Sequence, residues 1–196
     1  MISDLDIKTD SLQLMYYRIE VNPNNIGVVL ETPFSLNPSR TGIAFQPTDW
    51  NLLNILVEIS LMNDSSLSNV CTAALQQRPD IIAFLPGIWE VMFEKARPDN
   101  VKMRRTECTF FFKEKEDALN FKARYPGMNN GQLCEVVIID ERFMMECDMN
   151  WLDSINEKTA NASEVIDAFK KYWEGKLTNK PTMEVLFAGK YMLKPL

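Results

Sequence analysis

A segment near the C-terminus has the clearest strand pattern in the chain, and it reads Thr182-Met183-Glu184-Val185-Leu186-Phe187-Ala188-Gly189. Successive side chains of a strand point to opposite faces, so Val185 and Phe187 share one face. Glu184 shares the other face with Leu186. A carboxylate among apolar neighbours is unfavourable to bury unless it is paired, hydrogen-bonded or used in chemistry. The pattern therefore leaves two interpretations of Glu184, a solvated position at the start of a strand or a functional carboxylate.

The composition indicates a globular chain with a sizeable core. The chain has 196 residues, of which 46% are hydrophobic and 24% are charged, values that are typical of one folded domain. We therefore expect a single domain over residues 1–196 with a helical block at about 49–97. The net charge of -6 argues against a strong general affinity for nucleic acid or for an anionic membrane. The apolar runs are short, and the N-terminus is polar, so we expect no membrane span and no secretion signal.

The chain lacks histidine, and this excludes several classes of chemistry. Histidine acid–base catalysis and Ser-His or Cys-His nucleophiles are excluded, and the commonest zinc ligand is missing. The four cysteines show no C-x-x-C spacing, which is typical of small buried thiols in a reducing compartment. We therefore predict a cytoplasmic protein without a metal site. Any catalysis must use carboxylates, hydroxyls, Arg, Lys or a cofactor.

The hydrophobic patterns predict strands towards both ends of the chain and helices between and among them. Strands are expected at 14–21, 26–30, 106–112, 133–139, 143–147 and 182–189 because these segments are rich in β-branched and aromatic residues. Helices are expected at 50–62, 65–77, 81–97 and 163–175, with another that ends near 125, and Ser163 is the expected N-cap of the last one. The loop from 31 to 47 contains Arg40, which is either an anion ligand or a solvated loop arginine.

The second half of the chain contains a series of short motifs in a specific order. Their order resembles a bacterial and phage family of uncharacterised domains related to ADP-ribosyltransferases. The resemblance covers roughly residues 88–194, with a fainter match at Tyr16-Tyr17-Arg18-Ile19. It implies an α+β fold with a split, mainly antiparallel β core and helices packed around it. The motifs are Glu90-Val91-Met92-Phe93-Glu94-Lys95-Ala96-Arg97, Arg104-Arg105-Thr106-Glu107-Cys108-Thr109-Phe110-Phe111-Phe112, Asp117-Ala118-Leu119, Cys134-Glu135-Val136-Val137, Asp148-Met149-Asn150-Trp151-Leu152-Asp153, Tyr172-Trp173-Glu174-Gly175 and Glu184-Val185-Leu186-Phe187-Ala188-Gly189-Lys190.

The resemblance also implies an NAD site built from three strands. The first strand supplies Arg18 to the ribose or the pyrophosphate. Tyr17, Tyr125 or Trp151 is a candidate to stack on the nicotinamide, and each is otherwise a core residue. A middle strand supplies a hydroxyl, for which Thr109 or Thr106 is the candidate. The last strand supplies Glu184 as the catalytic residue. Its carboxylate stabilises the positive charge that develops on the ribose when the bond to nicotinamide breaks.

The function implied by the resemblance is that of an NAD-dependent ADP-ribosyltransferase-like protein. NAD is then a substrate, and ADP-ribose passes to a macromolecular acceptor, a protein or a nucleic acid, in a conflict between phage and host. Two departures leave an alternative open: Thr182 stands where arginine-modifying members carry Gln or Glu, and residues 106–109 match the usual Ser-Thr-Ser signature imperfectly. The alternative is a catalytically inactive binding module on the same fold, an inhibitor or adaptor that docks a protein partner.

Overall fold

The computed structural model describes residues 15–32, 47–83 and 85–196, and within these ranges the chain forms an α+β fold around an antiparallel sheet. This confirms the α+β class predicted from the sequence. Arg40 lies outside the described residues. The strands are β1 (Tyr16–Glu20), β2 (Val29–Glu31), β3 (Thr109–Phe112), β4 (Gln132–Asp148) and β5 (Met183–Pro195). The helices are α1 (Pro47–Asn63), α2 (Leu67–Gln77), α3 (Ile88–Ala96), α4 (Lys115–Arg124), α5 (Asn150–Asp153) and α6 (Ala162–Trp173).

The sheet closes on itself. β1 pairs with β3 and β4, and β5 pairs with the same two strands, so the four strands form a ring of antiparallel ladders. β2 pairs with the C-terminal half of β5, at residues 190–192. The inner face of the ring holds one apolar cluster, formed by Tyr16, Phe111, Cys134, Val136, Val185, Phe187, Tyr191 and Leu193. These residues all belong to β1, β3, β4 and β5, so closing the ring brings them together.

The outer face of the ring carries the helices and the larger core. Leu186 of β5 and Phe110 of β3 belong to a cluster that also contains buried residues of α1, α2, α3 and α6. Val185 and Phe187 of β5 belong instead to the inner cluster. The two-residue alternation predicted for the C-terminal strand is therefore confirmed. None of the helices in the described ranges combines the length and the apolar character that a bilayer span requires.

The segment from Thr106 to Phe112 differs from its predicted strand at the beginning. Arg105–Glu107 forms a 3₁₀ turn, and β3 starts only after it. The backbone N–H of Arg104 donates to the carboxylate of Glu107 over 2.9 Å, which closes this turn and prevents an extended backbone. Thr106 consequently lies in a turn and not in a strand.

Two predicted strands, 133–139 and 143–147, are one strand, β4, with two irregularities in its pairing with β5. The register shifts fall between Ile138 and Asp140 and between Glu141 and Phe143. Bulges of this kind bend a strand without ending it, which explains how a polar interruption at 140–142 is accommodated.

Two helices, α3 and α6, begin at a different residue from the one predicted. α3 begins at Ile88 because Pro86 falls inside the predicted helix, and 3₁₀ turns replace its first part. The predicted cap Ser163 is wrong, since α6 begins at Ala162. Its N-cap is Asn161, which exchanges hydrogen bonds with Glu164 in a capping box.

Candidate functional site

A cavity of about 820 Å³ lies between β1, β2, the turn before β3 and the middle of β5. We call it the Arg18 cavity. Its walls mix cationic, acidic, hydroxyl and apolar side chains, among them Arg18, Glu20, Thr106, Thr109, Lys190 and Tyr191. This volume is within the range of small-molecule and cofactor sites.

The Arg18 guanidinium is held in a fixed position within this cavity. Its Nη1 donates to Thr109 Oγ1 over 2.5 Å and to the carbonyl oxygen of Phe110 over 3.2 Å. Its Nε donates to the Glu20 carboxylate over 3.2 Å, and the side chain is 18% exposed. No described residue accepts a hydrogen bond from Nη2. A guanidinium that is anchored on one side leaves its other N–H groups available for an anionic or carbonyl ligand.

Strand alternation explains why Arg18 and Thr109 meet. Tyr16 and Phe111 both lie on the inner face of the ring. Arg18 is two residues after Tyr16, and Thr109 is two residues before Phe111, so the same face carries all four side chains. The antiparallel pairing of β1 with β3 then brings the arginine and the hydroxyl together. Two of the predicted site residues are therefore in direct contact, and Thr106 lines the same cavity from its turn.

Glu184 occupies the opposite face of β5. It is 1% exposed, and it is not among the described residues that line the Arg18 cavity. Its Oε1 accepts hydrogen bonds from the Tyr172 hydroxyl over 2.6 Å and from Arg105 Nη2 over 3.2 Å. Burial and the neighbouring Glu184 raise the pKa of Tyr172 well above its usual value, which keeps the phenol protonated as a donor.

Tyr17 is also separated from the Arg18 cavity. It belongs to a third apolar group with Ile19 and Phe112, because alternation along β1 points it away from the face that carries Arg18. The structure thus brings together Arg18, Thr109 and Thr106, and it places Tyr17 and Glu184 elsewhere.

Arg105 is a buried residue that the sequence reasoning missed. It is 4% exposed, and its guanidinium carbon lies 4.4 Å from the centre of the Phe93 ring and 4.7 Å from that of Phe110. It forms ion pairs with Glu184 and, at 3.9 Å, with Glu90 of α3. The available signal was an arginine directly before an aromatic strand, together with a glutamate on the apolar face of a helix.

One cation therefore faces two buried carboxylates. Burial, and then the nearby Glu94 and Glu184, raise the pKa of Glu90 from 4.5 to about 7. A carboxylate in this position holds a proton near neutral pH, because the charged form lacks sufficient compensation. The two carboxylates that outnumber their cation therefore lie beside Arg105 and not in the Arg18 cavity.

The cysteines contribute no reactive thiol to either region. Cys108 and Cys147 are buried and unpaired, and burial raises the pKa of the Cys108 thiol to about 12. Thiols of this kind stay neutral and pack as small apolar groups.

A comparison with protein-family models gives a match over most of the chain. The family described as "Protein of unknown function (DUF2441)" matches residues 58–193, a stretch that runs from α1 into β5 and contains Thr109, Arg105 and Glu184. Arg18 precedes the matched stretch. No curated protein matches the chain. Since the match covers more than half of its length, the chain belongs to the DUF2441 family of proteins of unknown function.

Proposed function

We propose that the chain binds NAD in the Arg18 cavity of an ADP-ribosyltransferase-like fold. The observation that carries this proposal is the contact between Arg18 and Thr109 inside a cavity of about 820 Å³. An arginine and a strand hydroxyl on neighbouring strands are the pair that the family resemblance implies for the ribose and pyrophosphate of NAD. The fixed guanidinium requires little reorganisation before it binds a phosphate oxygen.

The other polar groups of the cavity match a ligand that has both phosphates and hydroxyls. Lys190 adds a second cation to Arg18, and Glu31 and Glu107 add carboxylates. Cations donate to phosphate oxygens, and carboxylates accept hydrogen bonds from ribose hydroxyls. A simple inorganic anion would use only the first kind of group, so the mixed lining favours a nucleotide.

In this proposal Glu184 is a structural residue. Its carboxylate holds Arg105 and Tyr172 together on the outer face of the sheet, and the ligand binds on the inner face. We therefore expect NAD binding to depend on Arg18 and Thr109 but not on Glu184.

Isothermal titration with NAD tests the proposal, and ADP-ribose and nicotinamide serve as half-ligands. We expect NAD and ADP-ribose to bind and nicotinamide alone to bind far more weakly, because the named contacts address the ribose and pyrophosphate. Thr109→Val, which keeps the side-chain shape and removes the hydroxyl, should weaken NAD by about tenfold. A chain that binds none of these ligands would contradict the proposal.

ADP-ribosyl transfer to a macromolecule is a second candidate function, and one observation favours it. Glu31 and Glu107 line the same cavity as Arg18, so carboxylates are present where a positively charged ribose would form. The acceptor in this proposal is a cytoplasmic protein or nucleic acid met in a conflict between phage and host. Incubation with labelled NAD and a cell extract separates the cases: label on a macromolecule supports transfer, and NAD binding without labelling supports an inactive binding module.

A further inference from the structure

A second cavity, of about 490 Å³, lies beside Arg105 and shares no described lining residue with the Arg18 cavity. We call it the Glu90 pocket. It lies where α3 approaches α4, α5 and α6, and aromatic and acidic side chains dominate its walls. These include Trp89, Glu90, Phe93, Tyr125, Asp153 and Phe169.

The carboxylate of Glu90 faces this pocket. Its side chain is 9% exposed, and no described residue donates a hydrogen bond to it. The cation that pairs with it, Arg105, is 3.9 Å away and at the same time bonds to Glu184 at 3.2 Å. Because two carboxylates share this one cation, the negative charge of a buried, ionised Glu90 is only partly compensated.

The walls of the pocket suit a flat cation. Trp89 is half-buried and Tyr125 is 38% exposed, so aromatic surface is open to a ligand. The rings of Trp89 and Phe169 are 6.2 Å apart, and the faces of aromatic rings attract cations. The pocket also has an acidic edge formed by Asp153 and Glu157, of which Asp153 pairs with Arg124.

We propose that the Glu90 pocket binds a guanidinium group, the side chain of an arginine, as the second cation beside the two buried carboxylates. A guanidinium is preferred to an ammonium because it is planar, stacks on aromatic rings and donates two parallel hydrogen bonds to one carboxylate. Arg105 shows the same chemistry within the fold, since it lies over Phe93 and Phe110 and bonds to Glu184. The inference is independent of NAD binding.

The empty and the occupied pocket should differ in the protonation of Glu90. Without a ligand, a proton compensates the excess charge, since the pKa of Glu90 is raised to about 7. A bound guanidinium replaces that proton, so its affinity should increase as the pH rises from about 6 to about 8. The charged groups that face or flank Glu90 are Glu94 on its own helix, Arg105 before β3, Glu184 on β5, and Tyr125, Asp153 and Glu157 in the pocket wall.

The test is isothermal titration of the whole chain with N-acetyl-arginine amide at about pH 8, with N-acetyl-citrulline amide as the uncharged ligand of nearly the same shape. We expect the citrulline compound to bind at least about tenfold more weakly, because it cannot form the ion pair. Glu90→Gln should lose a similar factor, while Glu58→Gln, a change at a half-exposed surface position, should leave the affinity unchanged. The tripeptide Gly-Arg-Gly identifies the source: tighter binding than the amide indicates an arginine within a protein, and weaker binding indicates a free small molecule.

Three results would overturn the proposal. They are no binding of the arginine compound to the unmodified chain, equal binding of arginine and citrulline compounds, and full affinity in Glu90→Gln. Circular dichroism of the Glu90→Gln variant should match that of the unmodified chain, because no hydrogen bond to the carboxylate is removed.

Discussion

Arg18 and Glu184 lie on opposite faces of one closed sheet. Arg18 contacts Thr109 on the inner face, and Glu184 is enclosed on the outer face by Arg105 and Tyr172. The carboxylate that stands out most in the sequence therefore belongs to the packing of the sheet against the helices. The polar cavity with space for a ligand is on the other side.

The position of Glu184 predicts a loss of stability when its charge is removed. Glu184→Gln leaves Arg105 buried with Glu90, at 3.9 Å, as its remaining ion-pair partner among the described residues. We expect the free energy of unfolding to fall by about 3 kcal/mol in urea denaturation, a typical loss when one partner of a buried ion pair is removed.

The same variant separates the structural role of Glu184 from a catalytic one. If the residue is structural, NAD affinity should be unchanged in the folded Glu184→Gln protein. Glu174→Gln is the matched control, because its carboxylate is exposed and forms an ion pair with Lys176. A Glu184→Gln protein that keeps the stability of the unmodified chain and loses NAD turnover would instead support the catalytic role expected from the sequence.

The raised pKa of Glu90 predicts that its replacement stabilises the protein at neutral and higher pH. The folded pKa of about 7 exceeds the unfolded value near 4.5, so the folded state binds the extra proton between these two values. Stability therefore falls as the pH rises through this window, and the loss is complete above pH 7. Glu90→Gln cannot ionise, so we expect it to be more stable than the unmodified chain by up to about 3 kcal/mol at about pH 8.

Urea denaturation of both proteins at about pH 4.5 and about pH 8 measures this difference. The two should have similar stability at the lower pH, where Glu90 is protonated in the folded state. Glu58→Gln is the control. Because Glu58 is exposed, its replacement should change the free energy of unfolding by the same small amount at both pH values. An equal effect of Glu90→Gln at both pH values would show that folding leaves the pKa of Glu90 unchanged, and it would contradict this prediction.

Gly189 is required by the irregular pairing of β4 with β5. Its φ of 154° lies outside the usual range for other residues, and a Cβ atom at this position would lie 2.0 Å from the carbonyl oxygen of Asp140. We expect Gly189→Ala to lower the free energy of unfolding by about 2 kcal/mol or more. Gly127→Ala is the matched control, because a Cβ atom there meets nothing within 4 Å. Equal melting temperatures for the two variants would contradict this role.

The alternation of side chains along a strand was the most informative pattern in the sequence. It correctly placed Val185 and Phe187 on one face of β5 and Leu186 on the other, because the pleat of a strand fixes these directions locally. The helical hydrophobic pattern predicted most of the helices, and the family resemblance implied the α+β class that the fold shows. The alternation could not show which face of β5 meets Arg18, since that depends on which strands close the ring.

The residues that sequence reasoning missed depend on distant partners. Arg105 was not expected in the core because arginine is almost never fully buried unless it is paired, and its partners Glu90 and Glu184 are far away along the chain. Thr106 was assigned to a strand because the local capping by Glu107 has no strong sequence signal. Asp148 lies just beyond the strand predicted at 143–147, yet it is fully buried and accepts hydrogen bonds from the backbone N–H groups of 150, 178 and 182.

The most direct test of the account is the NAD affinity of Arg18→Gln compared with that of the unmodified chain. The matched control is Arg78→Gln, since Arg78 is an exposed arginine that pairs with the exposed Asp80. We expect NAD to bind the unmodified chain and Arg78→Gln equally, and to bind Arg18→Gln at least about tenfold more weakly, because the fixed guanidinium supplies a charge-assisted contact to the ligand. Unchanged NAD affinity in a folded Arg18→Gln protein would contradict the assignment of the Arg18 cavity as the nucleotide site.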